Sequence, residues 1–134
     1  MSDNRYISGI PNGLTIGGTI AFVLGFIPLV NFFGAAIGGA AASYVEEYGI
    51  IKSSLSGIAV GLFSLLPIGL WTTTGILMGG SGLLESQLLA GIGALGGVLG
   101  SVYGFVSFFL APLFGMIGGL SLGVYFHLIH KATD

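Results

Sequence analysis

The amino-acid sequence predicts an all-α protein in which four to five apolar, glycine-rich helices pack as hairpins in the manner of membrane proteins. Three observations predict this fold class. The apolar runs are far longer than the roughly 4 to 8 residues of a strand, and they lack the apolar-polar alternation of a half-buried strand. Proline residues or polar clusters separate the runs. Many of the 26 glycines recur at every fourth residue, which places them on one face of a helix.

The composition argues against a water-soluble monomer. Charged residues make up 6% of the 134 residues and hydrophobic residues 54%, whereas an ordinary soluble domain is about 25% charged. A domain of this size leaves roughly a third of its unfolded surface exposed after folding, which so few charged side chains cannot cover. We therefore expect an apolar exterior that is covered by lipid or by many copies of the same chain.

Charge and cysteine usage exclude several classes of function. The net charge is −2, and the basic residues are Arg5, Lys52 and Lys131. Neutralising nucleic-acid phosphates takes several Lys or Arg side chains per site, so we expect no strong direct nucleic-acid binding. The chain has no cysteine, which excludes disulfides, thiolate catalysis and cysteine metal ligands.

We expect a single helical domain over residues 1–134. Residues 1–13 contain polar and turn-forming side chains and predict an N-terminal arm. Residues 14–48 predict a helical hairpin that bends at Pro28, because proline lacks an amide donor and disfavours helical geometry in the residue before it.

Two longer helices are expected after this hairpin. The first covers residues 54–78, and Pro67 is expected to kink it, since apolar sequence continues on both sides and membrane-type helices tolerate proline. The second covers residues 88–130 and is expected to bend or break near Pro112. Whether these two prolines kink or end their helices stays open at this point.

Ten glycines are the candidate residues for helix packing and assembly. A helical stripe without side chains lets a neighbouring helix approach closely, so that dispersion contacts replace the hydrophobic drive that is absent in apolar surroundings. Every predicted helix except the first carries such a stripe. The alternative is that glycine richness alone makes some spacings of four inevitable. The candidates are Gly34, Gly38, Gly57, Gly61, Gly96, Gly100, Gly104, Gly115, Gly119 and Gly123.

No motif in the sequence predicts catalysis or cofactor binding. Gly91, Gly93 and Gly96 spell GxGxxG, but the dinucleotide motif needs a preceding strand and an acidic residue about 20 positions later, and the sequence offers neither. His127 and His130 have no third ligand nearby, so we expect them to stabilise a helix C-terminus rather than to bind a metal. We therefore expect no enzyme, no cofactor, no metal and no small-molecule substrate.

Two further groups of side chains have structural interpretations. Glu46 and Glu47 are adjacent and point to different helix faces, which predicts a solvated rim rather than a catalytic carboxylate pair. The larger aromatic side chains either form belts at a membrane interface or fill packing gaps, and the sequence leaves both open. These aromatic residues are Tyr44, Tyr48, Trp71, Tyr103 and Tyr125.

The fit of the sequence to a lipid bilayer is imperfect. Four crossings would place Arg5, Lys52 and Lys131 on one side, as the positive-inside rule expects. The first two predicted helices are short, however, because about 15 residues span only ~22 Å of a hydrocarbon core that is ~30 Å thick.

The order of these features resembles a viral protein family. A polar arm, two short helices hinged at Pro28, the acidic turn at residues 46–49 (Glu-Glu-Tyr-Gly) and glycine-striped helices up to the C-terminus are similar to the major capsid proteins of tailed spindle-shaped archaeal viruses. The resemblance covers nearly the whole chain through size, hydropathy and glycine pattern. It implies helical subunits that polymerise into a shell able to change between a lemon-shaped body and a tubular tail.

Residues 13–49 also resemble small archaeal four-span membrane proteins of unknown function. We therefore expect a capsid-type structural protein in the virion, which associates with many copies of itself. Lipid as an additional partner stays open at this point. The competing expectation is a multi-pass protein of the cell membrane, such as a small channel or a scaffold.

Overall fold

The chain folds into two antiparallel helical hairpins, and the second is much longer than the first. The structure is a computed structural model that describes residues 6–7, 10–46, 49–80 and 87–133. Its helices are α1 (Asn12–Gly25), α2 (Val30–Glu46), α3 (Ile50–Phe63), α4 (Leu65–Gly80) and α5 (Gln87–Thr133). The predicted all-α fold class is confirmed. Within the described residues, the structure adds one pairing of two-residue strands near the N-terminus.

This strand pairing lies inside the predicted N-terminal arm. β1 (Tyr6–Ile7) and β2 (Ile10–Pro11) run antiparallel, and Tyr6 lies opposite Pro11. Helix α1 then begins at Asn12, two residues earlier than predicted. Pro11 precedes the first helical residue, where a missing amide hydrogen costs nothing because helix N-termini leave such donors unpaired.

The turn between α1 and α2 contains Pro28, as the sequence predicts, and it places a leucine in an unusual backbone conformation. Leu29 has a φ of 67°, which side-chain-bearing residues rarely adopt. Its amide donates a hydrogen bond of 2.7 Å to the hydroxyl of Tyr103 on α5. The same hydroxyl donates to Oδ1 of Asn31, which is completely buried. Tyr103 therefore holds the α1–α2 turn against α5 through polar contacts.

The predicted helix over residues 54–78 is longer in the structure, and its helical path is interrupted at a single residue near Pro67. Helical structure starts at Ile50 and ends at Gly80, and a turn at Ser64 divides it into α3 and α4. Pro67 is the third residue of α4, where it needs no amide donor, and its ring would clash with the carbonyl of Phe63 if the helix continued. Ser64 keeps helical backbone angles (φ −67°, ψ −15°), so the interruption is one residue wide and lies within one turn of Pro67, where the kink is predicted.

The last helix is longer than predicted and does not break. α5 runs for 47 residues from Gln87 to Thr133, with Pro112 inside it, whereas we expected residues 88–130 with a bend or break at this proline. At 1.5 Å per residue, α5 is about 70 Å long.

A constant register joins α3 and α4 to α5 along nearly their whole length. A Cβ atom added to most glycines of these helices would meet the opposite helix, and in six of these contacts the two residue numbers sum to 172. The two antiparallel sides therefore stay aligned past the turn at Ser64 and past Pro112. The pairs are Ser53–Gly119, Gly57–Gly115, Gly61–Ala111, Ile68–Gly104, Thr72–Gly100 and Gly75–Gly97.

The short hairpin covers only one end of the long one. Helices α2 and α3 pack against the C-terminal part of α5, and α1 packs in turn against α2 and α3. We call these three helices, with residues 111–123 of α5, the four-helix base. The remainder, residues 68–80 of α4 and 87–104 of α5, is only two helices thick. We call it the outer hairpin.

Glu46 is not the solvated rim residue that the sequence predicts. Its side chain is half-buried at the end of α2, and Oε1 accepts a hydrogen bond of 2.8 Å from the amide of Gly13 in the first turn of α1. A carboxylate at this position satisfies an unpaired helix donor and faces the positive end of the helix dipole. Glu47 and Tyr48 lie outside the described residues.

Replacing Glu46 tests whether this contact holds the short hairpin together. We expect E46A to lower the free energy of unfolding by about 1 kcal/mol, the usual contribution of a side chain that caps a helix N-terminus. E46Q keeps an oxygen acceptor but loses the charge, so its loss should be smaller. Thermal unfolding in mild detergent, followed by circular dichroism, measures both. Equal melting temperatures for wild type and E46A would contradict the assignment.

Candidate assembly surface

The interior of the fold is built from small side chains, and the large apolar side chains point outward. Among the described residues, the buried hydrophobic side chains are mostly alanines, joined by Val60 and Ile68. Phenylalanine, tryptophan and most leucine side chains stay half-buried or exposed. A water-soluble protein places these residue types the other way round. Burial of large side chains within one subunit therefore contributes little to the stability of this fold.

Four of the predicted glycines bring α3 and α5 into direct backbone contact. A Cβ on Gly57 would meet the carbonyl oxygen of Gly115, and a Cβ on Gly115 would meet that of Gly57. Gly61 lies against the carbonyl of Ala111, and Gly119 against that of Ser53. Contacts of glycine Cα–H groups with carbonyl oxygens recur at such close helix interfaces.

The other predicted glycines have different surroundings. In the short hairpin, Gly38 meets the carbonyl of Gly17, and a Cβ on Gly34 would lie 2.6 Å from Cβ of Leu24. Gly123 lies against Ser53 of α3. In the outer hairpin, Gly100 and Gly104 contact α4 more loosely, with hypothetical Cβ distances of 3.1 and 3.4 Å to Thr72 and Ile68, and Gly96 meets nothing within 4 Å.

The structure thus places nine of the ten candidates at contacts within one subunit. Their packing role between subunits stays a prediction.

The sequence interpretation missed a stripe of small residues on α1. Gly13, Gly17, Ala21 and Gly25 are buried at spacings of four, and Gly17 and Gly38 lie in mutual contact across the short hairpin. The expectation that the first helix has no stripe was wrong, because α1 begins at Asn12 and so includes Gly13, and because alanine fills the third position. A stripe search that accepted alanine as well as glycine would have found it.

Pro67 and Pro112 remove backbone hydrogen bonds from the two sides of the long hairpin at the same position along its axis. Proline has no amide hydrogen, so the carbonyls four residues earlier, on Phe63 and Phe108, lose their usual helical partners. The constant register brings these two residues to the same height on opposite sides of the hairpin. This level lies between the four-helix base and the outer hairpin. Pro28 lies in the separate α1–α2 turn.

The exterior is extended and largely apolar. The solvent-accessible surface of the chain is 8460 Å², whereas a compact protein of the same mass exposes about 6,600 Å². Large apolar side chains are exposed on every helix, and Glu46, Lys52 and Lys131 are the charged residues of the described part. Single exposed apolar residues are normal, but contiguous apolar surface marks an interface with protein or lipid.

An open apolar groove lies where the outer hairpin meets the α1–α2 turn. Its volume is about 560 Å³, and its lining includes Phe26, Trp71, Met78, Leu99 and Tyr103. The lining carries no charged residue. Trp71 and the exposed tyrosines Tyr44 and Tyr125 lie on the outside, whereas Tyr103 is committed to its hydrogen bonds with Leu29 and Asn31.

The histidine pair lies at the helix end, as predicted. His130 and Lys131 are in the last turn of α5, and Nδ1 of His130 lies 3.1 Å from the carbonyl oxygen of Phe126. In the part of the chain that the structure describes, no three His, Asp or Glu side chains cluster closely enough to hold a metal ion.

Two helical segments are long and apolar enough to cross a membrane, namely Ile50–Met78 and Ala90–Ala132. No family model matches the chain, and comparison with curated proteins and with solved structures finds no match either.

Paired glycine substitutions on α5 test the importance of close backbone packing. G115A should lower the free energy of unfolding by about 1–3 kcal/mol, because the added methyl group overpacks the contact with Gly57. G96A is the matched control, since nothing lies near Gly96, and it should raise the free energy by up to about 1 kcal/mol through helix propensity. Melting temperatures in mild detergent should therefore shift in opposite directions. Shifts of the same sign would contradict this packing account.

Proposed function

We propose that this protein is a structural subunit, without enzymatic activity, that assembles through apolar helix packing into a viral capsid shell or tube. The observation that carries the proposal is the outward arrangement of large apolar side chains over a subunit with a small-residue interior. Such a surface is stable in water only when other molecules cover it. Copies of the same chain offer a cover of matching shape along the whole length of the long hairpin.

The length of the apolar surface favours protein over lipid as the cover. Between Leu88 and Phe126, α5 carries no Asp, Glu, Lys, Arg or His side chain, and this stretch is about 58 Å long if straight. The hydrocarbon core of a bilayer is only ~30 Å thick. A bilayer that accepted this helix upright would leave nearly half of its apolar surface in water or headgroups. Neighbouring subunits impose no such limit on length.

The prolines support the capsid form of the proposal. A shell that changes curvature needs subunits that bend at a defined place, and helices bend most readily where a proline removes a backbone hydrogen bond. Pro67 and Pro112 weaken both sides of the long hairpin at one level. We infer that the outer hairpin tilts there relative to the four-helix base. The resemblance to capsid proteins of spindle-shaped archaeal viruses agrees with such a subunit.

An integral membrane protein, such as a small channel or scaffold, is the second candidate. The two segments that are long and apolar enough to cross a membrane favour it. At roughly 43 Å for 29 residues and 65 Å for 43 residues, both exceed the hydrocarbon core, so this candidate requires strong tilting or substantial burial by partner helices.

Electron cryo-microscopy of the native material tests the proposal. We expect an ordered lattice of subunits without bilayer density, and particles that survive lipid extraction, because subunit contacts alone cover the apolar surface. The matched comparison is the same sample before extraction. Discrete oligomers inside a lipid belt, or complete dispersal after extraction, would instead establish the membrane protein.

A further inference from the structure

The outward face of α5 carries large apolar side chains at the spacing of a coiled coil. Successive members lie three, four, three, four and three residues apart, and each is between 44 and 68% exposed. A seam with this period of 3.5 residues packs along a partner helix by inserting its side chains between those of the partner. We call these residues the α5 seam: Ile92, Leu95, Leu99, Val102, Val106 and Phe109.

The α5 seam points away from α4 and the four-helix base, and of its members Leu99 also borders the apolar groove at the α1–α2 turn. The buried positions of α5 at this level are Gly97, Ser107 and Ala111. At about 100° per residue, they lie roughly 150° around the helix from the seam. α4 and the four-helix base therefore cannot cover the seam, and its partner must come from outside the subunit.

The area of the seam suits a stable protein contact. Leu88 and Leu113 continue the same spacing by one step at each end, and they are 72 and 48% exposed. With these two residues, the seam exposes roughly 800 Å², which is the area that each partner contributes to a standard protein interface. A second helix of matching length and chemistry would use all of it.

We propose that the α5 seam packs antiparallel against the α5 seam of a second copy, around a two-fold axis between Gly100 and Ser101. This inference rests on the proposed self-assembly and names one of its contacts. In such a two-fold contact, when one residue of the first copy contacts a second residue of its partner, the same two residues also meet with the copies exchanged. The antiparallel register that pairs every residue of the seam with a seam residue of the partner meets this condition.

The residue sizes favour the antiparallel orientation. Around the proposed axis, Leu95 lies opposite Val106, and Leu99 lies opposite Val102, so each inner level combines one larger and one smaller side chain. Ile92 then lies opposite Phe109. A parallel pairing would place leucine on leucine and valine on valine, and the helix separation would vary along the contact. Interdigitating large and small side chains gives the more uniform packing.

The same arrangement leaves room for further copies. On α4, Leu66, Leu70 and Leu77 are exposed on the side opposite the α5 contacts at Ile68 and Thr72. Two subunits joined by their α5 seams form a layer in the order α4, α5, α5, α4. Its outer edges are again apolar helices, so the layer can grow sideways into a wall one helix thick.

Disulfide trapping between single-cysteine variants tests the contact, because the chain contains no cysteine of its own. The variants L95C and V106C are mixed in detergent before assembly and then oxidised within the particles. Disulfides form only between residues whose Cα atoms approach within about 7 Å. We expect cross-linked dimers in the mixture and none with either variant alone. L99C mixed with V102C is the second pair, in case the first fails to assemble.

A94C mixed with S101C is the matched control, since both residues are exposed on α5 outside the seam. We expect its dimer yield to be at least about tenfold lower than that of the seam mixtures, because the cysteines lie beyond disulfide reach. Cross-linking of L95C or V106C alone would overturn the antiparallel orientation. Intact particles without seam cross-links would overturn the α5 contact and leave self-assembly standing. Wild-type protein found only as single copies in a lipid belt would overturn the proposed function itself, and this inference with it.

Discussion

Shortage of polar surface is the constraint on which the rest of this structure depends. Eight charged residues in 134 cannot surround a helical protein, and the fold does not hide its large apolar side chains inside. It places them outward and fills the interior with glycine, alanine and serine. The chain therefore exposes an apolar exterior, and under the proposed assembly the burial of that exterior by neighbouring copies adds to its stability.

Close backbone packing is how the subunit holds together without a core of large side chains. When the surroundings are apolar, burying a leucine gains little, whereas a glycine contact gains dispersion energy along two whole helices. The register between α3, α4 and α5 shows this in detail, since glycines or other small residues take part in every pair. Contacts are tightest in the four-helix base, at Gly57, Gly61, Gly115 and Gly119, and looser in the outer hairpin. This gradient matches a rigid base that carries a thinner, bendable extension.

The sequence predicted the helices well because long apolar runs and prolines act locally. The short hairpin, the long last helix and the turn at Pro28 all follow from such signals. The kink expected at Pro67 corresponds to an interruption at Ser64, because the hydrogen bond that a proline removes belongs to the preceding turn. The stripe on α1 was missed because the predicted helix began after Gly13, and because one of the four small residues is alanine.

Contacts that depend on how the helices align in the folded protein could not be predicted from the sequence. Glu46 reaches Gly13 across 33 residues, and Tyr103 reaches Leu29 and Asn31 across more than 70. No local pattern marks these pairs, because hairpin alignment decides them. Gly96 is the opposite case, in which the sequence pattern predicts a contact that the fold does not make. Its spacing matches that of Gly100 and Gly104, but it faces open space. Spacing identifies a helix face, but only the fold tells which faces are already occupied.

The most direct test of the central claim is sedimentation velocity of the purified protein in dilute buffer without detergent or lipid. The account predicts that all native, helical material sediments as large assemblies, with no stable species near the subunit mass of 13.6 kDa. A monodisperse, helical 13.6 kDa monomer that persists on dilution would contradict it.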